Sequence, residues 1–127
     1  MSGIRALVSP AIRPAWLELA PPFEKSSGQR LATEWAGIAA IRKRVGEGEV
    51  FDLVVGSSDS IDFLIKEKKL KAKTHLAKAE AGVGVPKGAR RPDLSSVEAL
   101  KRELRAARKI GYSTGPSGLY LAELFKR

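Results

Sequence analysis

One stretch near the amino terminus sets the pattern for the whole chain: Ile4-Arg5-Ala6-Leu7-Val8-Ser9-Pro10. Its apolar residues predict a short buried strand over Ile4–Val8, and Ser9-Pro10 is a typical start of a helix. Apolar residues then recur at the spacing of one helical face, at Ile12, Trp16, Leu19 and Phe23. Prolines 21 and 22 predict a break or kink in this helix, because neither can donate a backbone hydrogen bond. Ser26-Ser27-Gly28 predicts its end.

The same alternation of strand and helix continues along the chain. Further strands are predicted over Leu31–Trp35, Phe51–Val55, Ala79–Val85 and Lys109–Tyr112. Helices are predicted after each turn, with Ile38, Ile41 and Val45 on one inward face and Ile61, Leu64 and Ile65 on another. Ser95 and Glu98 have the spacing of a capping box at the start of a later helix. Alternation of this kind predicts an α/β fold, a mostly parallel sheet flanked by helices.

Composition excludes several classes of protein. The 127 residues carry 23 Lys and Arg against 14 Asp and Glu, a formal net charge of +9, which favours anionic partners. There is no Cys, so disulfides, thiol catalysis and sulfur-based zinc sites are excluded. A single His excludes most histidine metal cages, so no metal and no cofactor is expected. No apolar run approaches the roughly 20 residues of a membrane span.

Two motifs suggest enzymes but have the wrong context. Gly82-Val83-Gly84 with Gly88 resembles a dinucleotide loop, but the third glycine is misplaced and no acidic residue follows at the right distance. Gly111-Tyr112-Ser113-Thr114-Gly115 matches a nucleophile elbow, yet the one His, His75, precedes the Ser rather than following it. No acid–base pair shares a turn. We therefore expect binding rather than catalysis.

Small and hydroxyl-bearing residues follow the predicted strands. They are Ser9, Ala36-Gly37, Gly56-Ser57-Ser58 and the turn Ser113–Gly118. In open parallel sheets ligands bind beyond the carboxyl ends of the strands, where helix N-termini offer free N–H groups. Hydroxyls and N–H groups together suit a small oxyanion. The alternative is that these residues only cap helices and form turns, as Ser and Gly commonly do.

An ordered set of segments resembles the molybdate-type, class II periplasmic substrate-binding proteins of ABC transporters. The segments cover nearly the whole chain: Leu17–Gly28, Ala36–Val45, Phe51–Val55, Gly82–Gly88, Asp93–Leu100 and Ser113–Tyr120. The second loop, Trp35-Ala36-Gly37-Ile38, departs from the family because it has no hydroxyl. Molybdate, a related anion and another solute therefore all stay open.

The resemblance implies a ligand site, two lobes and partners. The implied ligand-binding residues are Ser9, the backbone of Ala36, Gly37 and Ile38, and Ser117 with Gly118, with Ser57 and Ser58 nearby. Residues 1–78 would form the first α/β lobe, and residues 79–127 the crossover and start of an incomplete second lobe. The implied function is binding of a tetrahedral oxyanion such as molybdate, tungstate or sulfate for ABC-type uptake or sensing, with an ABC permease as partner.

The cellular location and the assembly of the protein are also expectations at this point. The resemblance implies a periplasmic protein. Residues 1–12 lack the apolar core of a signal peptide, which is expected for a cytoplasmic protein or for a mature form whose leader has been removed. Family members close the sheet with strands from later in a longer chain, so an unpaired sheet edge is expected here. Because such edges recruit other strands, we expect a homo-oligomer.

Two other functions remain open. The basic surface also fits a nucleic-acid-associated module, although aromatic residues are only 6% of the chain and are not interleaved with the basic runs. The other is a relative of the family that binds no solute and acts through contact with other proteins. Nucleic-acid binding would weaken steeply as salt rises, which separates it from binding of a small solute.

Overall fold

The computed structural model describes residues 3–127. The chain divides into two compact units, Met1–Leu76 and Ala77–Arg127. Residues 1 and 2 of the predicted first lobe lie outside the described residues. Assignment of the second unit as the start of a second lobe stays a prediction.

The first unit is built on a three-stranded parallel sheet. The strands are β1 (Gly3–Val8), β2 (Arg30–Trp35) and β3 (Leu53–Val55), in the spatial order β2-β1-β3. β1 pairs with both neighbours, and Ala6, Leu7 and Val8 in its second half are fully buried. The three predicted strands are thus present and parallel, and the α/β fold class is confirmed.

Helices cover both faces of this sheet. After a 3₁₀ turn at Pro10–Ile12 come α1 (Arg13–Ser27), α2 (Ile38–Gly46) and α3 (Ser58–Lys66). α1 packs on the face of Thr33, whose Oγ1 accepts a hydrogen bond from Trp16 Nε1 at 3.0 Å. Thr33 pairs with Ala6, one residue before Leu7, so Leu7 points to the other face. On that face Leu7 packs in one buried cluster with Ile41 and Val45 of α2 and Leu64 of α3.

α1 runs through both prolines, so the predicted break is wrong. Pro21 and Pro22 remove the hydrogen bonds to the carbonyls of Leu17 and Glu18, but those residues are exposed and water can reach them. The helix is fixed on either side of the prolines. Trp16 bonds to β2 before them, and Glu24 Oε1 accepts from the Leu31 N–H at 2.6 Å after them. Gly28, at φ 68°, ends the helix as predicted.

The inward face of α1 differs from the predicted one. Trp16, Ala20 and Glu24 are half-buried, whereas Leu19 and Phe23 are exposed. The observed face follows a strict spacing of four residues, because the Trp16 and Glu24 hydrogen bonds to β2 set the rotation of the helix.

β3 is two residues shorter than predicted. The Asp52 N–H donates to the Arg5 carbonyl at 3.0 Å, and the Arg5 N–H donates to Asp52 Oδ2 at 2.8 Å. A side-chain carboxylate therefore takes the place of a backbone acceptor beside Arg5. The regular ladder begins only at Leu53.

The second unit contains two helices, α4 (Val97–Ala106) and α5 (Pro116–Leu124). The strands predicted over Ala79–Val85 and Lys109–Tyr112 are wrong. Both segments are irregular and exposed. An isolated extended segment has no ladder to satisfy its backbone, and among residues 3–127 the only strand pairs join β1 to β2 and β3.

The start of α4 is one residue later than predicted. Ser96, not Ser95, is the N-cap, since its Oγ accepts from the Ala99 N–H at 3.1 Å. Ser95 instead donates from its Oγ to Asp93 Oδ1 at 2.6 Å. Because Ser95 bonds to this carboxylate, it belongs to the turn before the helix, and Ser96 caps the helix instead.

Candidate functional site

The carboxyl ends of the three strands meet at one edge of the sheet, called here the carboxyl edge. Val8 is in register with Trp35 on one side and Val55 on the other. Pairing extends one step further, because the Ser9 N–H donates to the Val55 carbonyl at 2.9 Å and the Ala36 N–H to the Val8 carbonyl at 3.1 Å. The three turns that follow the strands therefore lie side by side.

Ser9 occupies the middle of this edge. It is only 8% exposed, and its Oγ accepts from the Ala11 N–H at 3.4 Å as the cap of the 3₁₀ turn. No group among the described residues accepts the hydroxyl proton. Ser9 thus has a hydrogen-bond donor that the rest of the described chain does not use.

The start of α2 presents free backbone donors. Gly37 is the N-cap and provides no side chain, so the N–H groups of Ile38, Ala39 and Ala40 have no capping partner. The first turn contains no acidic residue. A Cβ placed on Gly37 would meet nothing within 4 Å, so the space over this helix end is open. The positive end of the α2 dipole therefore faces an accessible volume.

α3 starts at the same edge and is also uncapped. Its N-cap, Ser57, makes no side-chain bond to the backbone of the first turn; its Oγ donates to Ser60 Oγ at 2.9 Å instead. Ser58 is exposed, and its Oγ accepts from Lys73 Nζ at 3.4 Å. Asp59 places one carboxylate in this turn, which distinguishes α3 from α2. Simple capping thus does not account for Ser57.

Two residues of this edge were not predicted from the sequence. Ser60 is fully buried and bonded to Ser57, and Lys73 reaches back to Ser58. Ser60 follows Ser57 by three residues, the spacing between an N-cap and the N3 position, so its signal was present. Lys73 is separated from Ser58 by 15 residues, and no local pattern reveals such a contact.

The predicted site residues fall into two groups. The first unit brings together six of them at the carboxyl edge: Ser9, Ala36, Gly37, Ile38, Ser57 and Ser58. The other two, Ser117 and Gly118, lie in the first turn of α5 in the second unit. Ser117 Oγ is 3.3 Å from Ser113 Oγ. A Cβ on Gly118 would lie 1.5 Å from the Ser113 carbonyl oxygen, so this close approach requires glycine. Ligand binding by all eight residues stays a prediction.

A charged cluster lies toward the opposite, amino edge of the sheet. Arg44 Nη2 bonds to Glu49 Oε1 at 2.6 Å and to Glu34 Oε2 at 2.7 Å, and Arg5 Nη2 bonds to Glu34 Oε1 at 3.2 Å. The two guanidinium carbons lie 4.7 and 5.1 Å from the centre of the Phe51 ring. Hydrogen bonds from Arg44, and then from Arg5, lower the pKa of Glu34, and those from Arg44 lower the pKa of Glu49.

This cluster predicts a loss of stability in acid. Both carboxyls have a folded-state pKa below the usual 4.5, so their contribution is complete above that value and is lost as pH falls below it. We expect the free energy of unfolding of the wild type to drop between about pH 5 and pH 3. The variant E34Q/E49Q should lose less over that range. Urea unfolding followed by Trp fluorescence tests this, because both Trp residues, Trp16 and Trp35, lie in the first unit. Equal slopes for the two proteins would contradict it.

Residues 3–127 contain no group of three or more His, Cys, Asp or Glu placed to hold a metal ion. None of their helices has the length and apolar character needed to cross a membrane.

Comparison with known proteins gives the family. A sequence model described as "Bacterial extracellular solute-binding protein" matches residues 4–127. The chain belongs to this family. The family is one of solute-binding proteins, and the matched range includes the first unit from residue 4 onward and the whole of the second unit.

One relative of the chain has the name of an enzyme. It is called aconitate isomerase, from a Pseudomonas species, and is 29% identical over 114 residues. The match covers 84% of this chain and 44% of the relative. The chain therefore spans less than half of the length of the relative that it matches.

Proposed function

We propose that the chain binds a small anionic solute at the carboxyl edge of its sheet. One observation carries this proposal: two neighbouring helices, α2 and α3, begin at this edge with no side-chain cap on their free N–H groups. α4 provides the contrast, since Ser96 caps it in the usual way. Free N–H groups at a positive helix end bind anions, and the unused Ser9 donor lies between the two.

Two ligand chemistries fit these donors. The first is the tetrahedral oxyanion predicted from the sequence, such as molybdate, tungstate or sulfate. The second is a carboxylate, suggested by the name of the aconitate isomerase relative. Both accept hydrogen bonds from N–H and O–H groups. They differ in size and in the number and separation of their charges.

The proposal is for binding without bond making or breaking. The side chains of Ser9, Ser57 and Ser58 offer hydroxyls, and none of them bonds to a His or a carboxylate in the described residues. Incubating the chain with aconitate and following the solution by NMR tests the alternative. Formation of an isomer at a rate above the protein-free control would show that catalysis accompanies binding.

Isothermal calorimetry against molybdate, tungstate, sulfate, phosphate and tricarballylate tests the proposed function. We expect saturable binding of at least one anion, with little dependence on salt beyond that of a single charged contact. No heat from any of them in a folded sample would contradict the proposal. Binding of a DNA duplex that weakens steeply with salt would favour the nucleic-acid alternative.

Delivery to an ABC permease and assembly into a homo-oligomer are further parts of the proposal. The outer edge of β3 supports the second, because β3 pairs only with β1 in the described part of the chain. Val50 and Leu53 beside it are 76% and 41% exposed. Unpaired, apolar strand edges favour association with another chain.

A further inference from the structure

A lysine lies at one end of the carboxyl edge, beside the start of α3. Lys73 Nζ is 3.4 Å from Ser58 Oγ and 2.6 Å from Asp62 Oδ1, and its side chain is only 23% exposed. A cation at a helix N-terminus is repelled by the positive end of the helix dipole. Asp62 offsets part of that repulsion. The ammonium group is thus held beside the start of α3, at one end of the carboxyl edge.

An arginine lies at the other end of the edge. The guanidinium of Arg13 is 5.1 Å from the centre of the ring of Trp35, the last residue of β2. Arg13 takes part in none of the ion pairs found among residues 3–127. Stacking on an aromatic ring orients a guanidinium while leaving its five donors free for a carboxylate.

The two cations lie beside the two outer strands of the sheet. Arg13 stacks on Trp35 at the end of β2, and Lys73 contacts Ser58 just after β3. Because β2 and β3 lie on either side of β1, the ends of these two strands are roughly 10 Å apart at the usual strand spacing. A single tetrahedral oxyanion cannot bridge this span. A molecule with carboxylates at both ends of a short carbon chain can. Ser9, nine-tenths buried with an unused donor, lies between the two ends.

We infer that the ligand is a polycarboxylate whose separated carboxylates are bound by Arg13 and Lys73, with its middle at Ser9 and the start of α2. This inference rests on the proposed function and narrows its substrate class. Arg13 would bind one carboxylate through two parallel hydrogen bonds. Lys73 would bind the other as a point charge, sharing its ammonium between the ligand and Asp62.

Calorimetry on the full chain with three probes tests the inference: tricarballylate, acetate and sulfate. We expect tricarballylate to bind about tenfold or more tightly than either compact anion, because it makes a second charge-assisted contact. R13Q and K73Q should each weaken tricarballylate binding about tenfold or more. Acetate or sulfate can contact only one cation, so at most one of the two variants should affect its binding.

R30Q and K71Q are the matched controls. Arg30 begins β2 at the opposite edge of the sheet, and Lys71 is an exposed lysine two residues from Lys73. Each of these two substitutions removes one positive charge and should leave the affinity for tricarballylate within about twofold of the wild type, as expected for distant surface charges. R13K, which keeps charge but loses the paired donors, should fall between the wild type and R13Q; circular dichroism verifies folding.

The outcomes separate the inference from the proposed function. Anion binding that is unaffected by both R13Q and K73Q, or that favours sulfate over tricarballylate, overturns the inference and leaves the anion site. Absence of binding by all three probes overturns the inference, and the proposed function is overturned as well only if molybdate, tungstate and phosphate also fail to bind. An equal loss in K73Q and K71Q shows only a general charge effect and also overturns the inference.

Discussion

Replacing Gly37 by Asp is expected to abolish anion binding while making the protein more stable. The Asp carboxylate would cap the free N–H groups of α2 and place a negative charge where the solute binds. Two unit charges about 4 Å apart near a protein surface repel by about 4 kcal/mol, so affinity should fall on the order of a hundredfold or more. A better cap, a favourable dipole contact and the loss of glycine flexibility together should raise the free energy of unfolding by about 1 kcal/mol.

The neutral variant G37N separates charge from capping. Asn caps helices about as well as Asp, so it should stabilise the fold and weaken binding less than Asp does. The open space around Gly37 and its φ of −66° mean that neither side chain is strained. Calorimetry measures affinity, and urea unfolding measures stability. Unchanged anion affinity in G37D would show that the start of α2 does not bind the solute.

Replacing Leu7 by Ala should produce the largest loss of stability in the first unit. Leu7 is fully buried in the central strand and packs against Ile41, Val45 and Leu64 from two helices. Buried Leu-to-Ala changes lower the free energy of unfolding by about 2–5 kcal/mol, and a site closed on several sides belongs in the upper half of that range. Urea unfolding followed by Trp fluorescence reports on this unit alone, since both Trp residues lie in it.

L17A is the matched control for L7A. Leu17 is 56% exposed on α1, and Ala favours helix slightly more than Leu, so the change should stay within about 0.5 kcal/mol of the wild type. A loss in L7A no larger than that in L17A would contradict the described core. It would mean that the sheet and the α2–α3 layer do not pack around Leu7.

The parts of the fold that were predictable depend on local pattern. The strands ending at Val8, Trp35 and Val55 are apolar runs closed by turn residues, and both features are visible within ten residues. The inward faces of α2 and α3 follow from helical spacing and were correct at Ile41, Val45, Ile61 and Leu64. The order of the strands in the sheet was known only from the structure, because the sequence pattern does not show which strands pair.

The errors arose where distant contacts override local preference. Pro21 and Pro22 predicted a break, but the helix is fixed to β2 on both sides of them: Trp16 donates a hydrogen bond to β2, and Glu24 accepts one from it. Val83 and Val85 have strand-like character, yet a strand requires a partner and this segment has none among the described residues. Lys73 was invisible for the same reason, since only the folded chain returns it to Ser58.

The candidate site was predictable to the extent that topology determines it. Parallel strands place their following turns at one edge, so Ser9, Gly37 and Ser57 could be grouped before the structure was known. The missing side-chain cap at the start of α3 could not be predicted, because Ser is one of the residues that most often cap helices. The Ser57 hydroxyl instead bonds to buried Ser60. The cation at each end of the edge likewise required side-chain positions.

Backbone amide NMR of the full chain during titration with sulfate and with tricarballylate tests the central claim most directly. We predict that the shifts that move and saturate belong to Ser9, residues 37–40 and residues 57–60, at the carboxyl edge. Amides at the amino edge, such as those of Glu49 and Val50, should stay unchanged. Shifts confined to the amino edge or to the lysine-rich surface, or no saturable shift with either anion, would contradict an anion site at the carboxyl edge.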